Sequence, residues 1–462
     1  MIQAIQFLLS LTLLVVAHEF GHYFFSRRYG VRVEKFYMFF NPGFALFRAR
    51  KVNGKWKFRF FAKNEKPSDV PLEELPDEDW RKYPQNTEWG IGWLPLGGYC
   101  RIAGMVDETQ WNESKDHTPK PWEYRAAKAT HRLPIITGGV LVNFVLALML
   151  YVAILFTWGR SYLLFSDVKQ GFEFSELAKE YGFRDGDRVI EADGMDLGEF
   201  DADAIRRLLK AQTVTLVRDG KTHTLSLPED FKTSIVNSRD HFLTPALPFV
   251  VDSVMPQTAA AQAGMQRNDS ITAVNGVKGS SFARLSEEIR RNAGHSVSVE
   301  FVRNGTVQTA ELKPDTTGKI GVMIYTYEHY YPIRHEDYSL AESVPAGILL
   351  GLRQLKGYVS DFRYLFSEGG YRNLGGFKSL GSLYAPEWDW RSFWSITAFL
   401  SIILAFMNLL PIPGLDGGHL LFLLYEMVTG RKPSEVFLER AQMIGMLFLL
   451  LLVFYANLND FI

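Results

Sequence analysis

The 462-residue chain is predicted to be a polytopic α-helical membrane protein with four transmembrane helices and two small α+β domains outside the bilayer. Three observations predict this: four long uncharged stretches, a consistent pattern of Lys and Arg at their ends, and a repeat within the longest polar segment. The averages alone suggest a soluble protein, at net charge −1 with 47% hydrophobic and 22% charged residues. The near-zero charge excludes a nucleic-acid binder that works through a basic surface field. The apolar content excludes disorder. A single cysteine, Cys100, excludes any intrachain disulfide and any multi-cysteine metal cluster.

The uncharged stretches cover residues 2–17, 133–159, 392–415 and 441–459. A hydrocarbon core about 30 Å thick is crossed by about 20 helical residues, so each is a candidate span. The first is not a cleaved signal, because no basic segment precedes it and no small-residue site ends it. The domain limits read as 1–25 for the first helix, 26–132 for a polar segment, 133–159, 392–415 and 441–459 for the other helices, and 416–440 for the last loop. Arg27, Arg28, Arg32 and Lys35 follow the first span; Arg125, Lys128 and Arg132 precede the second; Arg431, Lys432 and Arg440 lie between the last two. The positive-inside rule puts 26–132 and 416–440 in the cytoplasm and 160–391 outside.

The outer segment contains two related stretches. Gly182-Phe183-Arg184-Asp185-Gly186-Asp187 and Gly264-Met265-Gln266-Arg267-Asn268-Asp269 are offset by 82 positions, and each precedes alternating strands, a short amphipathic helix and an Asp-Gly or Asn-Gly turn. The pattern resembles PDZ domains, placed at 160–230 and 245–315, and departs from the bacterial-protease form at Asn268, where Gly is usual. PDZ domains bind extended peptide ends by strand addition, so binding of such ends is one expectation and a simple spacer is the other. In the remainder, 316–391, Ala341, Val344, Ile348, Leu352, Leu355, Val359, Phe362 and Phe366 recur at helical spacing. Arg353, Lys356, Asp361 and Arg363 argue against a span, and an amphipathic helix on the outer membrane face or against the PDZ-like domains is expected.

The chemistry begins at His18-Glu19-Phe20-Gly21-His22. An i, i+4 spacing puts both imidazoles on one helical face, where they can hold zinc, and Glu19 beside them can act as general base toward water. An ionisable cluster that continues a span is a functional site by default, because unpaired it is expensive there. Two histidines leave a tetrahedral ion one protein ligand short. Asp416, in Asn408-Leu409-Leu410-Pro411-Ile412-Pro413-Gly414-Leu415-Asp416-Gly417-Gly418-His419, is the acid at the matching depth, with His419 a rival better suited to a supporting role. An ordinary turn at the membrane surface is the plain alternative for Asp-Gly-Gly.

Together, HExxH and NxxPxPxxDGG resemble the site-2 protease family of intramembrane metalloproteases. The resemblance spans both motif-bearing helices, the second span and the domain order. It implies Zn2+ on His18, His22 and Asp416, catalysis by Glu19, and Asn408 near the scissile bond. Gly139-Val140-Leu141-Val142-Asn143 matches the family's GxxxN, which makes Asn143 a substrate-positioning residue, although Val140 stands where Pro is frequent. Residues 90–104, with Gly97 and Gly98, resemble a membrane-associated β-hairpin of the family that holds an unwound substrate. The implied function is cleavage of transmembrane segments in single-pass proteins of a cell inner membrane, such as an anti-sigma factor already trimmed outside. The rivals are a catalytically silent scaffold that binds peptides through its PDZ-like domains, for which Glu19 has no use, and a zinc transporter, which lacks a polar path. The polar runs 63–79 and 107–120 read as solvated loops.

Overall fold

The computed structural model describes residues 2–64, 71–95, 97–105, 118–238, 241–279, 281–363 and 374–461. Most of the 107–120 run, part of 63–79, and Leu96, Phe366 and Asn373 lie outside the described residues. The described residues divide into two compact units: those within 1–159, 337–363 and 374–462 form one, and those within 160–336 the other.

The first unit holds α1 (Ile2–Arg28), α2 (Ala129–Trp158), α3 (Leu340–Phe362), α4 (Phe377–Ser382), α5 (Trp390–Leu409), α6 (Asp416–Thr429) and α7 (Glu435–Asn459). Helices α1, α2, α5 and α7 are each long and apolar enough to cross a membrane. Two differences from the sequence reading stand out. Residues 416–429 of the presumed loop form α6, because Leu420-Leu421-Phe422-Leu423-Leu424 carries a helical apolar run beyond the glycines. Helix α3 packs on α2 and α5, partners that the expectation of an outer membrane face or a PDZ-like neighbour did not include. Its glycines explain this: a Cβ on Gly347 would lie 2.6 Å from the Val152 Cα, and one on Gly351 2.5 Å from the Leu148 side chain. Small residues at i, i+4 let two helices approach at backbone distance. Tyr358 then meets Phe406 of α5 edge-on, with ring centroids 5.6 Å apart.

The polar segment after α1 is a five-stranded sheet, largely unforeseen. Its strands are β1 (Val33–Met38), β2 (Phe44–Val52), β3 (Lys55–Lys63), β4 (Glu88–Ile91) and β5 (Tyr99–Ile102), in the order β3-β2-β4-β1-β5. The expected hairpin at 90–104 is not one: β4 runs parallel to β1 on one side and β5 antiparallel on the other. The true hairpin is β2–β3, turned at Asn53-Gly54 with φ of 44° and 75°. Such a two-residue turn suits the right-handed twist of its strands. One face of the sheet meets α1, where Tyr23 contacts Phe36 and Trp89. The other is covered by residues 71–88, whose Trp80 is buried beneath Arg50 and Arg59.

The second unit contains the two related copies. The first pairs strands Lys221–Ser226, Thr213–Arg218, Arg188–Ala192 and Met195–Asp196 in that spatial order, with helix Ala202–Lys210. The second orders Val277–Lys278, Ser270–Val274, Val297–Arg303 and Thr306–Leu312, with helix Phe282–Arg291. Strand order therefore agrees between copies when each is read from the short strand. Each core extends past its anticipated limit: Phe231, Ile235, Phe242 and Leu243 join the first, and Ile320 the second. Asn268 takes φ 70° where the first copy has Gly186 at 91°, so asparagine makes the same left-handed turn. Each copy also has a buried aspartate gripped by an arginine: Asp187 by Arg218, and Asp269 by Arg303, every Nε and Nη2 contact at 2.7 Å. Strand Arg160–Tyr162 pairs with Arg334–Glu336, joining the two ends of this unit.

Candidate metal centre

Two helices bring three side-chain atoms to a single point, two from α1 and one from α6. On α1, His18 and His22 stand one turn apart with their Nε2 atoms 3.2 Å from each other. Asp416 Oδ2, in the first turn of α6, lies 3.1 Å from His18 Nε2 and 3.3 Å from His22 Nε2. His22 Nδ1 is 2.8 Å from the Ile135 carbonyl of α2, a contact in which only the ring nitrogen can donate. In the neutral imidazole, that leaves His22 Nε2 as a bare acceptor directed at a carboxylate oxygen.

Acceptors so arranged repel each other unless a cation lies between them. Asp416 Oδ2 is buried and has no hydrogen-bond donor among the described residues. Ligands held at about 2.0–2.1 Å around a tetrahedral zinc are separated by about 3.3 Å, close to these spacings. The residues present therefore fit a zinc ion.

Local backbone chemistry builds this convergence. A Cβ on Gly139 would fall 2.5 Å from His18 Cε1 and 2.6 Å from His22 Nε2, so the rings occupy the space that a larger residue would fill. On α1, Gly21 meets Gly138 backbone to backbone. Helix α5 stops at Leu409, before Pro411, whose missing N–H cannot continue it. Gly414 then takes φ 98°, and the chain folds back so tightly that a Cβ on Gly417 would sit 2.0 Å from the Leu410 carbonyl. The prolines and glycines around Asp416 thus set the return that aims its carboxylate. The helix N-terminus behind it favours the negative charge.

Around the cluster is a cleft of about 460 Å³ lined by Glu19, Gly97, Gly98, Cys100, Asn143 and Asn408, among others. Every site residue singled out in the sequence borders this one space. Glu19 accepts a hydrogen bond from the Cys100 backbone N–H, which ties it to β5. Asn143 is fully buried, and neither atom of its amide has a partner among the described residues. Its own carbonyl accepts from Ser401 Oγ at 2.7 Å, fixing α2 to α5 at this level. Gly98 presents bare backbone, since a Cβ there would lie 2.5 Å from the Tyr37 carbonyl. His419, one turn beyond Asp416, lies 2.8 Å from the Gln442 amide nitrogen.

One supporting contact escaped the sequence reading. Arg132 of α2 pairs with Glu426 of α6 and lies over the Tyr124 ring. The signal was Glu426, an acid directly after the apolar residues 420–425, legible only once 416–429 is recognised as a helix.

A family model described as Peptidase family M50 matches residues 6–62 and 74–452. The chain belongs to peptidase family M50. This is the site-2 protease family, and the chain is a zinc metalloprotease with several membrane-crossing helices. It is similar to the regulator of sigma-E protease RseP of Escherichia coli K12, at 26% identity across 98% of this chain and 97% of that protein. The corresponding protein of Salmonella typhimurium 14028s is 26% identical over the same shares. A Ralstonia nicotianae protein whose name carries the words zinc metalloprotease is 26% identical over 100% of this chain and 98% of its own length. The M50 match covers the helices that carry His18, His22 and Asp416.

Proposed function

We propose that this M50 protein cleaves the transmembrane segment of a single-pass membrane regulator, with zinc held by His18, His22 and Asp416. The observation that carries the reading is the convergence of three donor atoms within 3.1–3.3 Å beside Glu19, at the end of a membrane span. Zinc at this position supplies a Lewis acid that polarises the scissile carbonyl and acidifies water. Glu19 takes the proton of the attacking water and delivers it to the leaving nitrogen. Asn143, with an unspent buried amide, and Asn408 orient the peptide in the cleft. Strand β5 has one edge paired to β1; its other edge, preceded by Gly97 and Gly98 in the lining of the cleft, suits an extended substrate. A helical peptide bond is internally hydrogen-bonded, and strand addition would hold it open for attack.

The flanking arginines and lysines support an active site near the cytoplasmic side of an inner membrane, with the two PDZ-like copies on the outer side. There they would exclude substrates with bulky ectodomains, so that prior trimming is required. Relatives named as regulators of sigma-E make an anti-sigma factor the favoured substrate.

The test is Glu19→Gln with zinc content and cleavage of a model transmembrane substrate measured together. Zinc retained with cleavage lost supports the reading. Undiminished cleavage overturns it, and inactivity of the unaltered protein on every trimmed substrate would favour a scaffold.

A further inference from the structure

We infer that the Cys100 backbone N–H sets the register of the substrate strand, so that the peptide bond hydrolysed is the one whose carbonyl lies opposite Cys100. The inference deepens the strand-addition reading above and rests on it. Strand β5 is last in the sheet order, so one of its edges has no partner strand among the described residues. The neighbouring ladder decides which polar groups face that edge. The Gly92 N–H donates to the Met38 carbonyl at 2.8 Å, so Met38 of β1 turns its polar groups toward the β4 side. Phe36, two residues earlier on the same strand, does likewise. Phe36 stands opposite Cys100, and Tyr37 opposite Tyr99. Hydrogen-bonded and non-hydrogen-bonded pairs alternate along an antiparallel ladder. Phe36–Cys100 is therefore a non-bonded pair, and Cys100 directs both its N–H and its C=O away from β1. Ile102 does the same, because the bond at this end runs from the Ala103 N–H to the Arg32 carbonyl at 3.0 Å. Both residues line the cleft that holds His18, His22 and Asp416.

Two of the four groups on this edge are already spent. The Cys100 N–H donates to the Glu19 side chain, and the Ile102 carbonyl accepts from the Met105 N–H at 3.2 Å. The edge thus offers a substrate one donor, the Ile102 N–H, and one acceptor, the Cys100 carbonyl. A strand added in the more frequent antiparallel sense uses both. Its residue opposite Cys100 donates its own N–H and keeps a carbonyl with no donor from the edge. That carbonyl lies at Glu19, whose carboxylate is within electrostatic reach of His18, His22 and Asp416. A carbonyl held in the ladder would have to break a hydrogen bond to turn toward the cluster. This one turns without that loss.

Cys100 is the only cysteine of the chain and is partly exposed, so its thiol can report the register directly. The full-length Glu19→Gln chain, whose amide oxygen can still accept from the Cys100 N–H, is mixed in detergent with a model transmembrane peptide. The cut made in that peptide by the unaltered chain is first mapped by mass spectrometry. A single cysteine is then walked through five peptide residues centred on the one that supplies the cleaved carbonyl, and a bis-methanethiosulfonate with a one-carbon bridge joins the thiols. Opposed residues of an antiparallel pair stand about 5 Å apart at Cβ and diagonal ones about 7–8 Å, so the crosslink should peak several-fold at the central residue. Glu19→Ala, which releases the N–H, should spread the yield to the residues two positions away. A peak at another residue with cleavage intact, or a peak unchanged in Glu19→Ala, would overturn the register and leave the protease reading in place. Failure of the unaltered chain to cut any such peptide would overturn that reading, and this inference with it.

Discussion

Arg132, near the start of α2, forms a buried ion pair with Glu426, ten residues along the helix that Asp416 begins. The pair ties the helix that carries Asp416 to the helix whose Ile135 carbonyl contacts His22. Removing one partner leaves a buried charge alone, which typically destabilises by about 3–5 kcal/mol. Arg132→Met and Glu426→Leu are each expected to lower the unfolding temperature in detergent and the zinc affinity. The double variant, with no orphaned charge, should recover much of the stability. Thermal unfolding of the three variants checks this; a double variant less stable than either single one would contradict it.

Gly139→Ala tests the space reserved for the two imidazoles. Its methyl would lie 2.5 Å from His18 and 2.6 Å from His22, on carbon and nitrogen atoms that have nowhere to retreat within α1. Disturbing ligand orientation commonly reduces metal affinity by about 10–100-fold. A competition titration with a zinc chelator should show a loss in that range, with far-ultraviolet circular dichroism unchanged.

Asn143→Leu should separate stability from activity. The buried amide has no partner among the described residues, so a leucine of similar size removes an unsatisfied polar group worth about 1–3 kcal/mol. A raised unfolding temperature together with a lowered kcat/KM is expected if the amide is kept for substrate. A fall in both would mean that Asn143 serves packing.

The C-terminal end of α7 holds α4 through one carboxylate. Asp460 accepts from the Ser379 hydroxyl and from the backbone N–H groups of Gly376, Lys378 and Ser379. The Ser379 hydroxyl, with help from those amides, holds its pKa down to about 2. A depressed carboxylate stabilises above its unfolded pKa near 3.9 and loses that contribution as pH falls toward about 2. Hydrogen exchange across residues 376–382 should therefore accelerate in that acid window beyond the intrinsic rate. Asp460→Ala should show the same acceleration at neutral pH.

The spans and the convergence of His18, His22 and Asp416 were legible because each is written in a short stretch: uncharged runs of membrane length, and histidines at helical spacing together with an acid beside broken backbone. The hairpin turns at Asp219-Gly220 and Asn304-Gly305, with φ values of 50°, 75°, 51° and 79°, were equally local. The sheet after α1 was not, because β1 pairs with strands more than fifty residues away and β3 alternates aromatic with basic residues, each face answering to a different neighbour. The packing partner of helix α3 was not legible, because Gly347 and Gly351 act through backbone proximity to α2, which hydropathy does not register. Helix α6 was hidden by the turn chemistry of its own first residues.

The aspartate–arginine grip of the second unit gives this chain an internal control. Asp187 and Asp269 also accept from the backbone N–H groups of Arg184 and Gln266, three residues upstream, while Arg218 and Arg303 reach the carbonyls of Gly182 and Gly264. One side chain thus joins the start of a module to its final hairpin, twice, across sequences that otherwise differ at most positions. Side-by-side comparison of the copies separates what such a module requires from what it tolerates without reference to any other protein. By that comparison the turn residue is negotiable, glycine or asparagine, and the ionic keystone is not.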